Sequence, residues 1–310
     1  MSAAVIAIDR RPPDNEPAGE THATTSAGPV AGPVAEKNMS TTAELPAGTM
    51  FAERLQAALR ALLPPVLGIV VLIGIWYVAT IKGGSIPGPG QTWEAAKVLF
   101  ADPFYRNGPN DQGIGWNILS SLQRVGVGFG FAALVGIPLG FILGRSRFLS
   151  DMINPIISLL RPVSPLAWLP IGLLVFKKAD PAATYTIFIC SIWPMIMNTA
   201  QGVQRVPQDY LNVARVLALS EWKVVTKILF PAVLPYMLTG IRLSIGTAWL
   251  VIVAAEMLTG GVGIGFWVWD EWNNLKVEHI IIAIFVIGIV GLLLEQGLIM
   301  IAKRFTYETR

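Results

Sequence analysis

Charge is what this sequence most lacks. Of its 310 residues only 14% are Asp, Glu, Lys or Arg, while 53% are hydrophobic and the mean hydropathy is +0.57; a soluble domain carries about 25% charge. Such a chain belongs in a bilayer. Cysteine is nearly absent as well: the single Cys190 sits in an apolar run, so no disulfide framework or thiolate metal site forms within one chain. The two histidines, His22 and His279, lie in unrelated contexts, and no metal site is expected. No GxxxxGK occurs, so the chain has no phosphate-cradling loop and cannot hydrolyse ATP by that route. No catalytic residue is expected in it.

The first fifty residues are rich in Ala, Pro, Gly, Thr and Glu and show no periodic apolar face. They read as a disordered tail over 1–50, followed by a transmembrane domain over 51–310. Arg10, Arg11 and Lys37 stand against Asp9, Asp14, Glu16, Glu20, Glu36 and Glu44, a net −3 that leaves +6 for the remainder of a chain of net +3. An acidic tail is repelled by anionic lipid, so an inert extension is expected rather than a tether. The opening MSAAVIAIDRR has its apolar residues ahead of its arginines and does not read as a secretory signal.

A spanning helix needs roughly 20 mostly apolar residues. Five stretches supply them, near 63–81, 117–143, 184–203, 233–256 and 278–302. A sixth, 153–176, is apolar but carries Pro155, Pro162, Pro165 and Pro170, each removing a backbone donor and disfavouring helix before it. It is expected to be broken, and broken backbone at membrane depth persists only where protein or a wet cavity satisfies it. The expectation is an all-α integral membrane fold of about six transmembrane helices. Arg54, Arg60, Arg145, Arg147, Arg161, Arg205, Arg215, Lys223, Lys227, Lys303, Arg304 and Arg310 collect on one side of that topology. By the positive-inside bias that side is the cytoplasm, with both termini there. In the second span Gly136, Gly140 and Gly144 recur every four residues, and Gly126 and Gly130 repeat the interval, a spacing that lets helix backbones approach closely.

Between two apolar runs, NVARVLALSEWKVVTKILFPAVLP at 212–235 is too polar to span and too apolar for a loop. Pro207 and Asp209 suit a helix start. Tyr210, Val213, Ala214 and Leu217 then fall at i, i+3, i+4 and i+7, with Leu211, Val216 and Leu219 widening the apolar surface. So little polar surface on a short helix calls for a groove in another protein. Trp222 to Phe230 reads as a second helical segment stopped at Pro231.

This stretch resembles the cytoplasmic signature of the permease subunits of ABC importers. That signature has an acidic residue and two alanines, three residues, a glycine, nine residues, then Ile, any residue, Leu and Pro. Here Asn212, Val213 and Ala214 lead, Ala218 takes the glycine's place, and Ile228, Phe230 and Pro231 close it. Residues 120–146 and 153–176 resemble the branch serving nitrate, bicarbonate, cyanate, taurine and aliphatic sulfonates, and 247–275 is most similar to nitrate/nitrite permeases.

The resemblance implies a type I ABC importer permease fold, with a coupling helix at 208–220. Asp209, Asn212, Val213, Ala214, Arg215, Leu217, Ala218 and Leu219 would meet the ATPase subunits there. It further implies a homodimer, two ABC ATPase subunits binding ATP and Mg²⁺, a periplasmic or lipid-anchored substrate-binding protein, a bacterial inner membrane, and no nucleic acid. No cofactor falls to this chain. Nitrate or nitrite is the expected cargo, with bicarbonate, cyanate and alkylsulfonates open. An ion-coupled secondary transporter is the rival class, for which the broken span and Glu256 speak. Against it, no interrupted spans pair up in two halves.

Charges inside spans usually face a bundle interior or a wet cavity. Four occur, Arg124, Arg242, Glu256 and Glu295, each open to the alternative of a structural ion pair or a snorkelling side chain. An anion pathway favours arginine donors, so Arg124 and Arg242 join Ser164, Pro165, Trp168, Ser244 and Thr247 as gate and pathway candidates. In GGVGIGFWVWDEWNNLK the glycines 261, 263 and 265 read as a flexible turn, and Trp267, Trp269, Asp270 and Glu271 as a docking patch for the binding protein, or else an aromatic belt.

Overall fold

The computed structural model describes residues 47–84 and 86–305; the tail expected over 1–50 lies, up to residue 46, outside the described residues. Eleven helices follow in order: α1 (Ala47–Thr80), α2 (Pro89–Leu99), α3 (Ile114–Arg145), α4 (Arg147–Leu160), α5 (Pro165–Phe176) and α6 (Ala179–Gln204). After these come α7 (Gln208–Val216), α8 (Glu221–Val224), α9 (Phe230–Thr259), α10 (Ile264–Asn273) and α11 (Val277–Phe305). Among the described residues no strand occurs, only one isolated bridge between Arg106 and Gln112. Compact units divide between Leu62 and Leu63, and the helices from α2 onward belong to the second.

The glycines show how the helices run. Beside Gly128 stands Ile187, beside Gly136 Met195, beside Gly140 Thr199, and beside Gly144 Val203, so α3 and α6 are parallel. The chain must therefore cross back between them. That return is made by α4 and α5, bent by 99° at the break, which makes the pair a broken span. The break holds Pro162, Pro165 opens α5 as its first residue, and Pro155 and Pro170 lie inside helices. α9 runs antiparallel to α6, with Gly202 against Tyr236 and Gly240 against Asn198. α11 returns along α9, where Trp249 Nε1 donates to the Ile287 carbonyl at 2.9 Å. One end of the bundle thus carries α7 and α8, the other α2 and α10.

The expectation of six spans needs one refinement. Length and hydropathy mark four helices, Leu62–Thr80, Ile114–Arg145, Glu221–Thr259 and Val277–Ala302, with the bent pair as a fifth. α6 is long enough at 26 residues but less apolar, carrying Asp180, Thr184, Ser191, Asn198, Thr199 and Gln201. It is walled in by α3, α5 and α9, so it needs less greasy surface than a helix facing lipid.

Two readings of the sequence are corrected. The close-packed stripe on α3 is Gly128, Ala132, Gly136 and Gly140, buried against α6, and Gly144, half-buried against it, whereas Gly126 and Gly130 have open space where a Cβ would lie. At 100° per residue, a two-residue offset turns those glycines to the opposite face. Nor does Pro231 stop a helix. Val225–Leu229 widens into a π turn, in which the Phe230 N–H reaches the Val225 carbonyl, and the helix runs on through Pro231 and Pro235 to Thr259. A wider turn accommodates a ring without a donor, where a regular one would clash.

Candidate functional site

α7 starts on Pro207 at φ −56, with Asp209 in its first turn and Arg215 in its last, each charge complementing its end of the helix dipole. It ends in a Schellman motif: Leu219 N–H bonds the Ala214 carbonyl and Ala218 N–H the Arg215 carbonyl, both at 3.0 Å. Ala218 itself is left-handed, φ 47. This is why the related signature carries glycine there: the motif needs a residue past the helix end at positive φ.

Ala214 is buried with Val206, Val224, Leu229 and Val233, which pins α7 to the bundle. The sequence stripe splits here. Tyr210, Val213 and Leu217 turn outward, joined by Val216 at 85% exposure and Trp222 at 76%. Asp209, Asn212, Arg215 and Ala218 are exposed around them, and Leu219 is half-buried. Arg145 forms an ion pair with Glu221 just behind this ridge. Val216, Tyr210 and Trp222 belong to the outward surface with the residues singled out from the sequence.

A second feature is a cavity of about 450 Å³ between the α4–α5 break, α6 and α9. Arg161, Trp193, Met197, Asn198, Gln201 and Thr247 line it. Of the expected pathway residues, Thr247 faces it. Ser244 instead lies buried in the α6–α9 seam, its hydroxyl donating to the Ser191 carbonyl at 2.7 Å. Arg242 pairs with Glu295 across α9 and α11, Nε to Oε1 at 2.7 Å. Ser164 caps the start of α5 without a side-chain bond; Pro165 and Trp168 are half-buried in its first turn. Arg161 had no place among the sequence candidates, because its neighbours come from segments thirty residues and more away.

At the opposite end, Glu256 is buried. It accepts from Ser121 Oγ at 2.7 Å, Arg124 Nη1 at 2.6 Å and the Gly265 N–H at 3.0 Å. Arg124 also binds Asp180 at 2.7 Å and the Val262 carbonyl at 2.8 Å, so its guanidinium is fully engaged rather than offered to a passing anion. Asn117 Oδ1 and Ser121 Oγ accept the Gly263 and Ile264 N–H groups, both at 2.9 Å. The 261–265 segment is therefore no flexible turn. A Cβ on Gly263 would meet the Glu256 carboxylate at 2.5 Å, and one on Gly265 would run into the Val253 carbonyl, so glycine lets the backbone close on the acid.

This clasp positions α10, where Trp267 is buried and Trp269 and Asp270 are exposed. Glu271 is buried, held by His279 at 2.8 Å and Lys276 at 3.6 Å. Trp267, Asp270, Glu271 and Lys276 border a cavity of about 330 Å³ that also takes in Tyr105 and Asp111. Burial, and after it the Asp111 charge, raises the Tyr105 phenol above its ordinary value, keeping it a neutral donor.

Parallel and antiparallel apolar helices, a proline-broken span and an exposed amphipathic helix at one end define a multi-span membrane protein. Residues 136–305 match the family described as binding-protein-dependent transport system inner membrane component. The chain belongs to that family: it is a multi-pass inner-membrane protein, the permease part of an ABC importer and not its ATPase. It is 50% identical over 233 residues, 75% of this chain and 85% of the relative, to the nitrate import permease protein of Synechocystis. To the bicarbonate transport system permease protein of the same organism it is 44% identical over 246 residues, covering 78% of this chain and 88% of the relative. A solved structure of the MetNI methionine ABC transporter in inward-facing conformation shares the fold at a TM-score of 0.54 and 15% identity, over 62% of this chain and 95% of that one.

Proposed function

We propose that this chain moves a small inorganic oxyanion, nitrate or nitrite first, as one of two identical permease subunits in an importer driven by two ABC ATPase subunits. Those subunits bind the ATP and Mg²⁺. They seat on the α7 end, which faces the cytoplasm together with both chain termini, while a periplasmic or lipid-anchored binding protein delivers the anion at the α10 end. The observation that carries this is the exposed ridge of Tyr210, Val213, Val216, Leu217 and Trp222 on a helix pinned by Ala214. Apolar side chains on a water-facing helix call for a protein groove. A groove that contacts the ridge differently when open and closed shifts the permease between outward- and inward-open states. Arg145, Arg147, Arg205, Arg215, Lys223 and Lys227 flank it, as the positive-inside bias requires of a cytoplasmic face.

Nitrate rests on the relative at 50% identity; a bicarbonate cargo is supported by the relative of that name at 44%. Cyanate or alkylsulfonates would use the same machinery. The test is ATP hydrolysis by the chain isolated with its partners in lipid nanodiscs, with binding protein loaded with nitrate, bicarbonate or taurine. Stimulation by nitrate, abolished by Leu217→Asp, is expected. Absence of any partner or ATPase overturns the reading, and stimulation by another anion changes the cargo alone.

A further inference from the structure

We infer that the groove between the α4–α5 break, α6 and α9 is a waypoint for a small planar oxyanion, held by Arg161 with donors from Trp193, Asn198 and Gln201. The inference deepens the proposed function and rests on it.

Arg161 differs from the arginines held in ion pairs and from Arg106 and Arg205, which lie over the Trp116 and Tyr236 rings. Arg124, Arg145, Arg147 and Arg242 each stand within 4.0 Å of a carboxylate. Among the described residues Arg161 has none; its Nη1 lies 3.6 Å from the Met197 sulfur, a weak acceptor. Met197 precedes Gln204, the end of α6, by seven residues, so the guanidinium stands about 10 Å inside that end. A charge at such depth needs a counter-charge or a wet cavity.

The surrounding groups are donors too. The Trp193 indole N–H and the Gln201 side-chain amide have no acceptor among the described residues. Asn198 commits one amide hydrogen to the Pro194 carbonyl at 2.8 Å and keeps the other. Thr247 donates to Leu243 and so contributes only lone pairs. No Asp or Glu lines this cavity, whereas the α7-end cavity holds Asp151 and the α10-end cavity Asp111, Asp270 and Glu271. A planar fork of N–H donors matches a planar oxyanion bidentately, which a carboxylate neighbour would repel.

Arg161 also closes the C-terminus of α4, where any cation is favourable. That role needs a charge but no fork, and the distinction sets the test.

The assembled importer, both permease copies with ATPase subunits and binding protein, is placed in proteoliposomes, and anion delivered per ATP hydrolysed is measured. Arg161→Gln is expected to lower that ratio about tenfold. Arg161→Lys should restore thermal stability yet leave the ratio reduced. Trp193→Phe, which removes only an N–H, should lower it about threefold. A ratio unchanged in Arg161→Gln and Trp193→Phe, or fully restored by lysine, overturns the waypoint. Should Arg161→Gln fail to assemble, Trp193→Phe decides. A wild-type importer that delivers neither nitrate nor bicarbonate sinks the proposed function instead, before any variant is compared.

Discussion

Ser121 on α3 and Glu256 on α9 meet at 2.7 Å, and the same Ser121 hydroxyl accepts the Ile264 N–H at 2.9 Å. One side chain therefore joins two spans and the entry to α10. Ser121→Ala removes both bonds at a buried site and is expected to cost about 1–3 kcal/mol, seen as a lower unfolding temperature in detergent. Gly265→Ala should cost more, since its Cβ collides with the Val253 backbone. Both variants are also expected to weaken stimulation of ATP hydrolysis by the binding protein, because α10 loses its seat. Full stimulation in a destabilised Ser121→Ala importer would separate the clasp from docking.

The parallel seam of α3 and α6 gives a paired prediction. A Cβ on Gly140 would stand 2.5 Å from the Thr199 Cβ and 2.9 Å from the Ile196 carbonyl, while Gly130 faces open space. Gly140→Ala is expected to destabilise by about 1–3 kcal/mol as the helices are pushed apart. Gly130→Ala should be neutral or mildly stabilising, since alanine favours helix by about 1 kcal/mol over glycine. Thermal unfolding of the two variants side by side checks the register.

Ala218 occupies a left-handed conformation at φ 47 in the cap of α7. Glycine there would relieve about 1 kcal/mol of backbone strain. Ala218→Gly is therefore expected to slow amide exchange at Leu219, whose N–H bonds the Ala214 carbonyl, without changing the outward ridge. Faster exchange would mean that the left-handed cap is not what closes this helix.

Much of this was legible in the sequence, and the failures share a cause. The break at 161–164 could be read because proline acts on its own backbone, and α7 because its cap residues and apolar excess are local. Which way each residue of one stripe turns is not local: of Tyr210, Val213, Ala214 and Leu217, read together as an apolar face for a partner's groove, Ala214 alone is buried in the bundle. The helix sits across the end of the bundle, so most of its circumference is free. Pro231 misled because the proline rule counts a missing donor but not the π turn that absorbs it. Gly263 and Gly265 read as flexible because the acid they enclose, Glu256, needs Ser121 from 135 residues away to complete the site. The Arg161 groove is the extreme case, assembled from a helix break, the middle of α6 and one face of α9.

The last prediction concerns Arg242 and Glu295, expected from the sequence as a pathway donor and an inward charge, and found as partners between two spans. Neither side chain is deeply buried by protein, at 54% and 43% exposure. What surrounds them in the membrane is lipid, water in the pathway or a second subunit, and an unpaired charge is costly in the first. Arg242→Gln and Glu295→Gln should each lower the unfolding temperature in bilayer nanodiscs. Arg242→Gln with Glu295→Gln together should cost less than the sum, giving a coupling energy of about 0.5–3 kcal/mol. Arg242→Glu with Glu295→Arg should recover most of the wild-type stability, because the pair is restored with its ends exchanged. Were Arg242 a donor to the transported anion, the exchanged pair would recover stability but not transport. Recovery of both would place the residue in the helix seam alone, and leave the anion to Arg161 on the other face of α9.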